Sequence, residues 1–544
     1  MHSKLPVHWR SVRRALLLAV AATTTASAGT WIPVASNAPV VNAGVALLLS
    51  DGSVMVLGDA VGDDGIGDVW HKLTPDSHGS YVNGSWSSVA PMPNSREYFS
   101  SQVLMDGRVY VAGGEYGTGK SKAEVYDPVA NAWTIAANPG DVLSDANSEM
   151  LPDGRVLQAF VTGNLKKNKI YDPVANTYVS APDCLGIHNE SVWMKLADDS
   201  ILFVDRGDTT SERYIPALNN WVSAGTVPVQ LYDPYGLETG AALRLPDGRA
   251  FFMGSPNTSA YYEPGRGTAP GTWVAGPVPP NGTGAPDAPM AMLVNGKILC
   301  ALSPKPTPAE HFPRPTTFYE FNYLTNTFTQ IAAPGGGMSI SDHVYAFCFL
   351  ALPDGSVFCT HQASATYHVY VPDGAPLAIG KPSIASVTKT AASTYVLAGT
   401  GFNGISEGAS YGDDWQMNTN YPIARLTSAD GNDVRYARTF NWNSTGVATG
   451  SLVTTTKMAL PPSIEPGSYS LVVVANGIAS DPVTFVVPAA PCAEDLNADG
   501  HVDAADLAVL LGQWNTSGPG DVNESGVVDA EDLAQLLGSW GPCR

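Results

Sequence analysis

The residues whose types and spacing most directly indicate chemistry lie near the C-terminus of this 544-residue chain. One unit occurs there twice, 26 residues apart, as DLNADGHVDAADLAVLLGQW and DVNESGVVDAEDLAQLLGSW. Each copy carries oxygen donors at loop positions 1, 3, 5, 9 and 12, a glycine at position 6 and a backbone carbonyl at position 7. Calcium takes six to eight oxygen ligands at about 2.4 Å, and this spacing wraps them around the ion. The sequence therefore predicts two calcium ions, one in each loop.

The two loops differ at position 5, where Ser525 replaces the carboxylate of Asp499. Because a neutral hydroxyl attracts a divalent cation less strongly than a carboxylate does, we expect weaker calcium binding in the second loop. The predicted ligands are Asp495, Asn497, Asp499, His501 through its carbonyl, Asp503 and Asp506 in the first loop, and Asp521, Asn523, Ser525, Val527 through its carbonyl, Asp529 and Asp532 in the second.

The duplicated segment resembles a type I dockerin. The resemblance rests on aspartate at position 12, one helix after each loop and a repeated apolar stripe. The stripe follows an i, i+3, i+4, i+7 pattern, which predicts that its members are core residues. They are Leu507, Leu510, Leu511 and Trp514 in the first copy, and Leu533, Leu536, Leu537 and Trp540 in the second. The resemblance implies a cohesin-type module as partner, which would attach a secreted, usually carbohydrate-active protein to a scaffold or cell surface.

A second repeat, of about 48 residues, fills positions 43–360. In each unit two apolar runs flank a turn, and aromatic and proline residues follow, which predicts four strands per unit and type I′ turns at the Asp-Gly dipeptides. Units of this length with four strands are typical of propeller blades. The last unit lacks its fourth strand, so we expect residues 29–34 to supply it. The turn residues are Asp51, Asp106, Asp153, Asp199, Asp247, Asn295 and Asp354.

The second unit resembles a kelch repeat, through RVYVAGG at residues 108–114 and AEVYDPVANAW at residues 123–133. Short alternating strands then predict an immunoglobulin-like sandwich. This order is similar to that of the galactose oxidase family, and Tyr411-Gly412 resembles the start of its C-terminal domain. The fold class is therefore mainly β, with a small α-helical, EF-hand-like dockerin. The predicted divisions are a signal peptide over 1–28, a seven-bladed kelch-like propeller over 29–378, a sandwich over 379–487, a linker over 488–491 and a dockerin over 492–544.

In galactose oxidase two tyrosines and two histidines hold copper at the propeller mouth, and one tyrosine is cross-linked to a cysteine. Counted from the hairpin turns, Tyr98 and Tyr345 match the two tyrosines. Other residues occupy the remaining positions: Ala346 and either Trp415 or Gln416 for the histidines, and Ala43 near the cysteine. Because copper(II) prefers imidazole donors, we expect no copper-radical oxidation.

The remaining mouth positions are acidic. Clustered carboxylates shift one another's pKa values, so these residues suit general acid/base chemistry or cation binding, and a solvated polar pore is the alternative interpretation. Besides Asp287 and Asp342, the candidates include the five proposed catalytic residues: Glu97, Glu190, Glu238, His343 and Tyr345.

The N-terminus has the layout of a signal peptide, with a basic segment, an apolar run over 15–22 and the small-residue ending Ala26-Ser27-Ala28. The run is shorter than the roughly 20 residues that a spanning helix needs, which argues against a membrane anchor. Arg13-Arg14 leaves both Sec and twin-arginine export open. In an exported chain Cys492 and Cys543 are expected to form a disulfide, since they bracket the dockerin. The pairing of Cys184, Cys300, Cys348 and Cys359 stays open.

Composition limits the functions that fit. The formal net charge is -21, which disfavours nucleic acid and anionic membranes as partners. The best interpretation is a secreted or surface-attached, calcium-binding protein whose propeller recognises or processes polysaccharide. Three functions compete: a carbohydrate-binding module, which needs exposed aromatic residues at the mouth; a glycan-cleaving hydrolase or lyase, which needs paired carboxylates or His343 with Tyr345; and a non-catalytic adhesion protein. Whether the protein is an enzyme is left open.

Overall fold

The computed structural model describes Met1 and residues 28–543, apart from 42, 59–65, 145–146, 161–162, 190, 392, 410–416 and 489–491. Several predictions therefore concern residues outside this description. They are the signal peptide, the candidate Glu190, the Tyr411-Gly412 resemblance, Trp415 and Gln416 at the copper position, and most of the linker.

Seven antiparallel sheets follow one another along residues 30–371 and form a seven-bladed propeller. Six of them have four strands, and the sixth blade has a fifth, short strand, Thr283–Gly284, which pairs with Ile298–Pro304. Blade 1 comprises Ala46–Leu48, Val54–Gly58, Val69–Thr74 and Ser85–Ser88, and blade 2 comprises Ser100–Val103, Val109–Ala112, Ala123–Asp127 and Ala132–Ile135. Blade 3 comprises Ser148–Met150, Val156–Ala159, Asn168–Asp172 and Thr177–Ala181, and blade 4 comprises Met194–Lys195, Ile201–Val204, Thr210–Ile215 and Asn220–Thr226. Blade 5 comprises Ala242–Arg244, Ala250–Met253, Ser259–Glu263 and Thr272–Ala275, and blade 6 comprises Met290–Met292, Ile298–Pro304, Thr317–Asn322 and Thr327–Ile331. Blade 7 comprises Phe347–Ala351, Val357–His361, His368–Val371 and Thr30–Pro33.

The N-terminal strand closes the ring, as the missing fourth strand of the last repeat predicts. Thr30–Pro33 pairs antiparallel with His368–Val371. Trp31 packs its ring near Phe318 and Tyr370, at centroid distances of 5.8 and 4.8 Å, and its indole N–H donates to the Ala332 carbonyl at 2.8 Å. The two ends of the propeller are thus held within one blade.

The turn between the first two strands of each blade is not of the predicted type I′. In blade 1 the Gly52 N–H donates to the Leu49 carbonyl at 2.9 Å, and the Leu49 N–H donates to the Ser53 carbonyl at 2.8 Å. Gly52 has a φ of 77°, whereas Asp51 does not have a positive φ. This is a type I turn followed by a left-handed glycine, the three-residue G1-bulge hairpin, in which the preceding aspartate caps the turn.

Blade 4 has the same turn with a shifted register. Asp199 takes the left-handed position with a φ of 62°, and the Asp198 carboxylate accepts the Ser200 N–H at 3.2 Å. Asp198 therefore corresponds to the other turn aspartates, and the assignment of Asp199 to that role was wrong by one residue. The Asp-Asp dipeptide hid the shift because either residue fits the pattern.

The first strands of neighbouring blades contact one another around the ring, so they line its centre. The hairpin turns lie at one end of these strands. We call the opposite end, where the first strands begin and the second strands finish, the mouth.

Residues 381–487 form one antiparallel sheet of eight strands, here called the eight-stranded domain. Its core cluster includes Leu397, Leu426, Leu471 and Phe485. The predicted immunoglobulin-like topology stays a prediction. The strands are Ser383–Ala391, Thr394–Thr400, Ile423–Ser428, Val434–Phe440, Val453–Ala459, Gly467–Ala475, Ile478–Ala479 and Val483–Val487.

The eight-stranded domain packs on the turn end of the propeller. The Thr439 N–H donates to the Ser50 carbonyl at 3.1 Å, and the Thr445 hydroxyl donates to the Leu151 carbonyl at 2.9 Å. The paired segments Gly408–Ala409 and Met417–Asn418 contact first strands of the propeller. The mouth is thereby left as the uncovered end.

The C-terminal module contains helices α1 (Ala504–Gly512) and α2 (Ala530–Gly538). Within the described residues no helix is long and apolar enough to cross a membrane. Cys492 and Cys543 form the predicted disulfide.

Cys348 and Cys359 cannot pair across their hairpin in this register. Cys348 lies opposite Thr360 and Cys359 lies opposite Phe349, so the two side chains point to opposite faces of the sheet.

Candidate functional site

The two C-terminal loops have the same internal hydrogen bonds, displaced by 26 residues. In the first, Asp495 accepts the N–H groups of Asp499 at 3.1 Å and Gly500 at 2.7 Å. In the second, Asp521 accepts those of Ser525 at 2.9 Å and Gly526 at 2.7 Å. The backbone of each loop therefore wraps around the carboxylate at position 1.

Position 6 requires glycine in both loops. Gly500 and Gly526 have φ values of 91° and 100°, which a residue with a Cβ adopts only with strain. This is the sharp turn that brings the later oxygen atoms back toward the first ones, as calcium loops of this spacing need.

The carboxylate at position 12 joins each loop to its helix. Asp506 accepts the N–H of Asn497 at 3.1 Å and that of Asp503 at 2.8 Å. Asp503 in turn accepts the Ala505 N–H at 2.7 Å, which completes a capping box at the start of α1. Asp529 and Asp532 form the same box on α2.

Asp506 and Asp532 have no solvent-accessible surface. Burial acts to raise the pKa of Asp506, but the backbone N–H groups of Asp503 and Asn497 outweigh it and hold the pKa below its ordinary value. The pKa of Asp532 is lowered by the backbone N–H of Asp529, against a smaller effect of burial. Both carboxylates are therefore ionised at neutral pH and carry the charge that a hard cation needs.

The apolar stripe is only partly a core. Leu510 and Leu536 are buried, and Leu507 and Leu533 pack against them. The other four residues are exposed, which corrects the prediction that all eight are core residues: Leu511 at 51%, Trp514 at 37%, Leu537 at 51% and Trp540 at 50%. The nine-residue helices are too small to cover two full apolar faces, so Leu511 and Leu537 on the helices remain exposed, as do Trp514 and Trp540 two residues beyond the helix ends.

The acidic mouth candidates differ in their burial. Glu97 is 0% and Asp287 4% exposed, whereas Glu238 is half-buried. The Asp287 N–H donates to the Thr239 carbonyl at 2.9 Å, which places Asp287 beside the segment that carries Glu238. Glu190 lies outside the described residues.

His343 and Tyr345, the other two candidates, form a stacked pair on blade 7. Their rings are 5.1 Å apart and 6° from parallel. Both imidazole nitrogens of His343 are occupied: Nδ1 donates to the Phe312 carbonyl at 2.5 Å, and Nε2 accepts from Arg314 Nε at 3.0 Å. His343 therefore offers no ring nitrogen to a metal or a substrate proton in this arrangement.

Sequence reasoning missed a loop of blade 6 that crosses the mouth. Residues 305–316 place the His311 ring 6.5 Å from that of Tyr235 on blade 5, and the Phe312 ring 4.9 Å from that of Tyr345 on blade 7. A Cβ at Gly236 would come within 2.5 Å of His311 Nδ1, so glycine is needed where the loops meet. The available signal was length, because the interval from Asn295 to Asp354 is the longest between turn residues.

A second missed pair joins His361 and Asp342. His361 Nε2 lies 2.8 Å from Asp342 Oδ2, and the imidazole stacks on Phe347 at 4.4 Å. Asp342 Oδ1 also accepts the His343 N–H at 2.8 Å. His361 ends the second strand of blade 7, so its position at the mouth could have been inferred from the hairpin pattern.

The residues that correspond to the copper ligands do not assemble a copper donor set within the described chain. Tyr98 lies near Tyr116, at a ring distance of 6.2 Å. Ala346 and Ala43, both buried, have no donor side chain. With both nitrogens of His343 occupied, the matched positions supply phenols without imidazole, a poor set for copper(II).

Comparison with known proteins agrees with the propeller. The Kelch motif family model matches residues 102–140, which lie in blade 2. Spermatocyte protein spe-26 of Caenorhabditis elegans is 28% identical over 147 residues, and the match covers 24% of this chain and 24% of that protein. The chain thus spans about a quarter of the length of this curated relative.

Among solved structures, a fungal alcohol oxidase of the AA5 family, in complex with copper, is similar with a TM-score of 0.50 and 14% identity, over 85% of this chain and 99% of that chain. YjhT gives a TM-score of 0.37 and 12% identity, over 54% of this chain and 99% of that one. At such identities the first likeness shows the fold alone. The protein has a seven-bladed, kelch-type propeller whose fold resembles that of the galactose oxidase-like proteins.

Proposed function

We propose that this is a secreted, calcium-binding docking protein whose propeller recognises polysaccharide. The observation that carries the proposal is the pair of C-terminal loops, which repeat the same inward hydrogen bonds around two sets of carboxylates. A polar turn formed by chance would not repeat its hydrogen bonds, its left-handed glycine and its capping box at a fixed interval.

Calcium, when bound, supplies positive charge that neutralises the converging carboxylates and ties each loop to its helix. The residues that would hold it are the twelve predicted ligands. Asp506 and Asp532 would couple the ion to helix position, because each also caps its helix. The proposed partner is a cohesin-type module, and the exposed Leu511, Trp514, Leu537 and Trp540 support docking through an apolar, twofold-repeated surface.

Calorimetric titration of the full chain with calcium tests the proposal. We expect two ions for the wild type and one each for Asp506→Asn and Asp532→Asn. Asp430→Asn is the matched control, since Asp430 is an exposed turn aspartate elsewhere that also accepts backbone and side-chain hydrogen bonds. No calcium binding, or full stoichiometry in both position-12 variants, would reject it.

Docking is tested separately, by gel filtration of the chain with a recombinant type I cohesin module. A complex that forms in calcium, dissociates on chelation and weakens in Trp514→Ala with Trp540→Ala supports the docking role. Calcium binding without any such complex leaves the metal assignment standing and rejects this partner class.

Polysaccharide recognition is supported by exposed aromatic rings at the mouth. Tyr116 is 42% and Tyr235 48% exposed, and flat aromatic faces suit the apolar faces of sugars. Binding and reducing-end release are measured on a polysaccharide panel. We expect binding that Tyr116→Ala or Tyr235→Ala weakens, and that Leu324→Ala, an exposed apolar residue in the outer hairpin of blade 6, does not change.

Glycan cleavage is the alternative function of the same face. It would be supported by release of reducing ends that Glu238→Gln abolishes, because Glu238 is half-buried and its segment lies beside the buried Asp287. For a copper-radical oxidase we expect no activity, and copper-dependent peroxide formation from primary alcohols would contradict that.

A further inference from the structure

The loop over residues 305–316 brings an exposed cation to the mouth. Arg314 is exposed and donates through Nε at 3.0 Å and Nη2 at 2.5 Å to one acceptor, Nε2 of His343. Among the described residues Arg314 forms no ion pair, whereas the partly exposed Arg155 and Arg249 each pair with a turn aspartate. Its charge is thus held in place by an imidazole without being neutralised by a carboxylate.

The hydrogen bonds fix the direction of this contact. Nδ1 of His343 donates to the Phe312 carbonyl, so Nε2 carries the lone pair and the imidazole is neutral. A neutral acceptor orients the guanidinium and leaves its formal charge of one. The remaining N–H groups of Arg314 keep the fork geometry that matches a carboxylate or sulfate.

Two acidic groups on this side of the mouth, Asp342 and Asp233, are already engaged, and a third, Glu310 on the same loop, accepts the Phe312 N–H at 3.3 Å. Asp342 contacts His361 and the His343 N–H. Asp233 is buried and accepts the N–H groups of Tyr235 and Gly236, each at 2.9 Å. None of the three carboxylates forms an ion pair with Arg314.

Aromatic rings from this loop and from the segments that it contacts lie beside the arginine. Phe312 and Tyr345 pack at right angles beside His343, and His311 leads on to the exposed Tyr235. Rings beside an unpaired guanidinium provide a flat apolar surface next to an anion site. An acidic sugar residue has the complementary features, an apolar face and an anionic group.

We propose that Arg314, held by His343, binds the anionic group of an acidic polysaccharide, a carboxylate or a sulfate, while the neighbouring rings take the sugar face. The inference rests on the proposed polysaccharide recognition and names its substrate class. In a chain with a net charge of -21, attraction of a polyanion needs such a local cation.

The experiment is affinity gel electrophoresis of the full chain in polygalacturonate, in its methyl ester, and in dextran sulfate, with calcium held constant. Polygalacturonate and its ester share one backbone, so their difference isolates the carboxylate. Arg314→Gln is compared with Arg266→Gln, an exposed arginine in the outer hairpin of blade 5.

We expect retardation by polygalacturonate or dextran sulfate that falls with added salt and weakens roughly tenfold in Arg314→Gln, the usual effect of losing a charge-assisted hydrogen bond. Arg266→Gln should match the wild type. If Arg314→Gln weakens retardation by polygalacturonate, the anionic group is a carboxylate. If it weakens retardation by dextran sulfate, the group is a sulfate ester.

Equal binding to polygalacturonate and its ester, with no dependence on dextran sulfate, would overturn the inference, as would equal behaviour of the two arginine variants. If a neutral polysaccharide binds and neither polyanion does, polysaccharide recognition stands and the anionic class is wrong. If no polysaccharide binds, both proposals fall.

Discussion

At the scale of single residues, the predicted ligand side chains of the two C-terminal loops differ only at position 5. Asp499 has a carboxylate there, whereas the Ser525 hydroxyl donates to the Val527 carbonyl at 3.2 Å. Ser525 therefore brings no charge and competes for an oxygen that is itself a predicted ligand. We expect calcium to bind the second loop more weakly, and calorimetry on Asp506→Asn and Asp532→Asn, each with one loop intact, measures the two affinities separately. Equal affinities would contradict this expectation, and Ser525→Asp should raise the weaker one.

Arg96 and Glu124 form an ion pair inside blade 2, with both side chains 0% exposed and Nη2 2.8 Å from Oε2. Glu124→Gln leaves the guanidinium buried without a counter-charge, so we expect the free energy of unfolding to fall by about 3–5 kcal/mol. Denaturant unfolding measures it. Asp481→Asn, which breaks the exposed Lys381–Asp481 pair, is the control and should change stability by about 1 kcal/mol or less. Similar losses in the two variants would show that the buried charge is not the cause.

At the scale of elements, the strand Thr30–Pro33 determines whether the ring is closed. Trp31→Ala removes ring contacts and an indole hydrogen bond from the blade that joins both ends of the propeller. We expect a loss of about 3 kcal/mol and a lower thermal midpoint for the whole propeller. The matched control is Trp86→Ala, a fourth-strand tryptophan of blade 1 whose indole donates to the Ser36 carbonyl at 3.1 Å. An effect no larger than that of Trp86→Ala would reject a special role for closure.

The repeat was predictable at this scale because both its period and its turn residues are local features. The type of turn was not, since Asp-Gly is compatible with several hairpins and only the backbone bonds of Leu49 distinguish them. The half-exposed helices were also misjudged. A periodic stripe indicates an apolar face, but whether that face is covered depends on the size of the neighbouring elements.

At the scale of the whole molecule, buried ionisable groups join the eight-stranded domain to the propeller. Lys195 Nζ lies 3.0 Å from Glu149 Oε1, and Glu407 accepts the Lys195 N–H at 2.8 Å. Arg244, which donates to the Ile405 carbonyl at 2.6 Å, and Asp199 are the other charged groups that act on this cluster. Two glutamates thus lie beside the charge of one lysine, and all three residues are buried.

Burial first, and then the Glu149 carboxylate, raise the pKa of Glu407 well above its ordinary value of 4.5. The folded protein therefore holds a proton that the unfolded chain releases near that value. The protonated Glu407 contributes fully to stability below the pKa that Glu407 has in the unfolded chain. This contribution is lost as pH rises through the pKa that Glu407 has in the folded protein. We expect the thermal midpoint of the wild type to fall, relative to Glu407→Gln, as pH rises from about 5 to 8.

Glu407→Gln is the informative variant because glutamine keeps the shape of the neutral acid and does not titrate. A protonated-carboxyl infrared band at neutral pH, absent from Glu407→Gln, gives an independent readout. Parallel pH profiles for the two proteins would show that Glu407 is ionised and would reject the prediction.

The sequence alone determined the seven repeats, the ring-closing strand, the Cys492–Cys543 pair and the spacing of the predicted calcium ligands. The repeats and the ligand spacing are set by short intervals along the chain, whereas the closing strand follows from the gap in the last repeat and the disulfide from two cysteines that bracket one module. The tertiary structure decided what is brought together from distant segments. Arg314 meets His343 across 29 residues, Lys195 meets Glu407 across 212, and the blade 6 loop reaches both neighbouring blades. Such contacts depend on how blades and domains pack, and no local period records that packing.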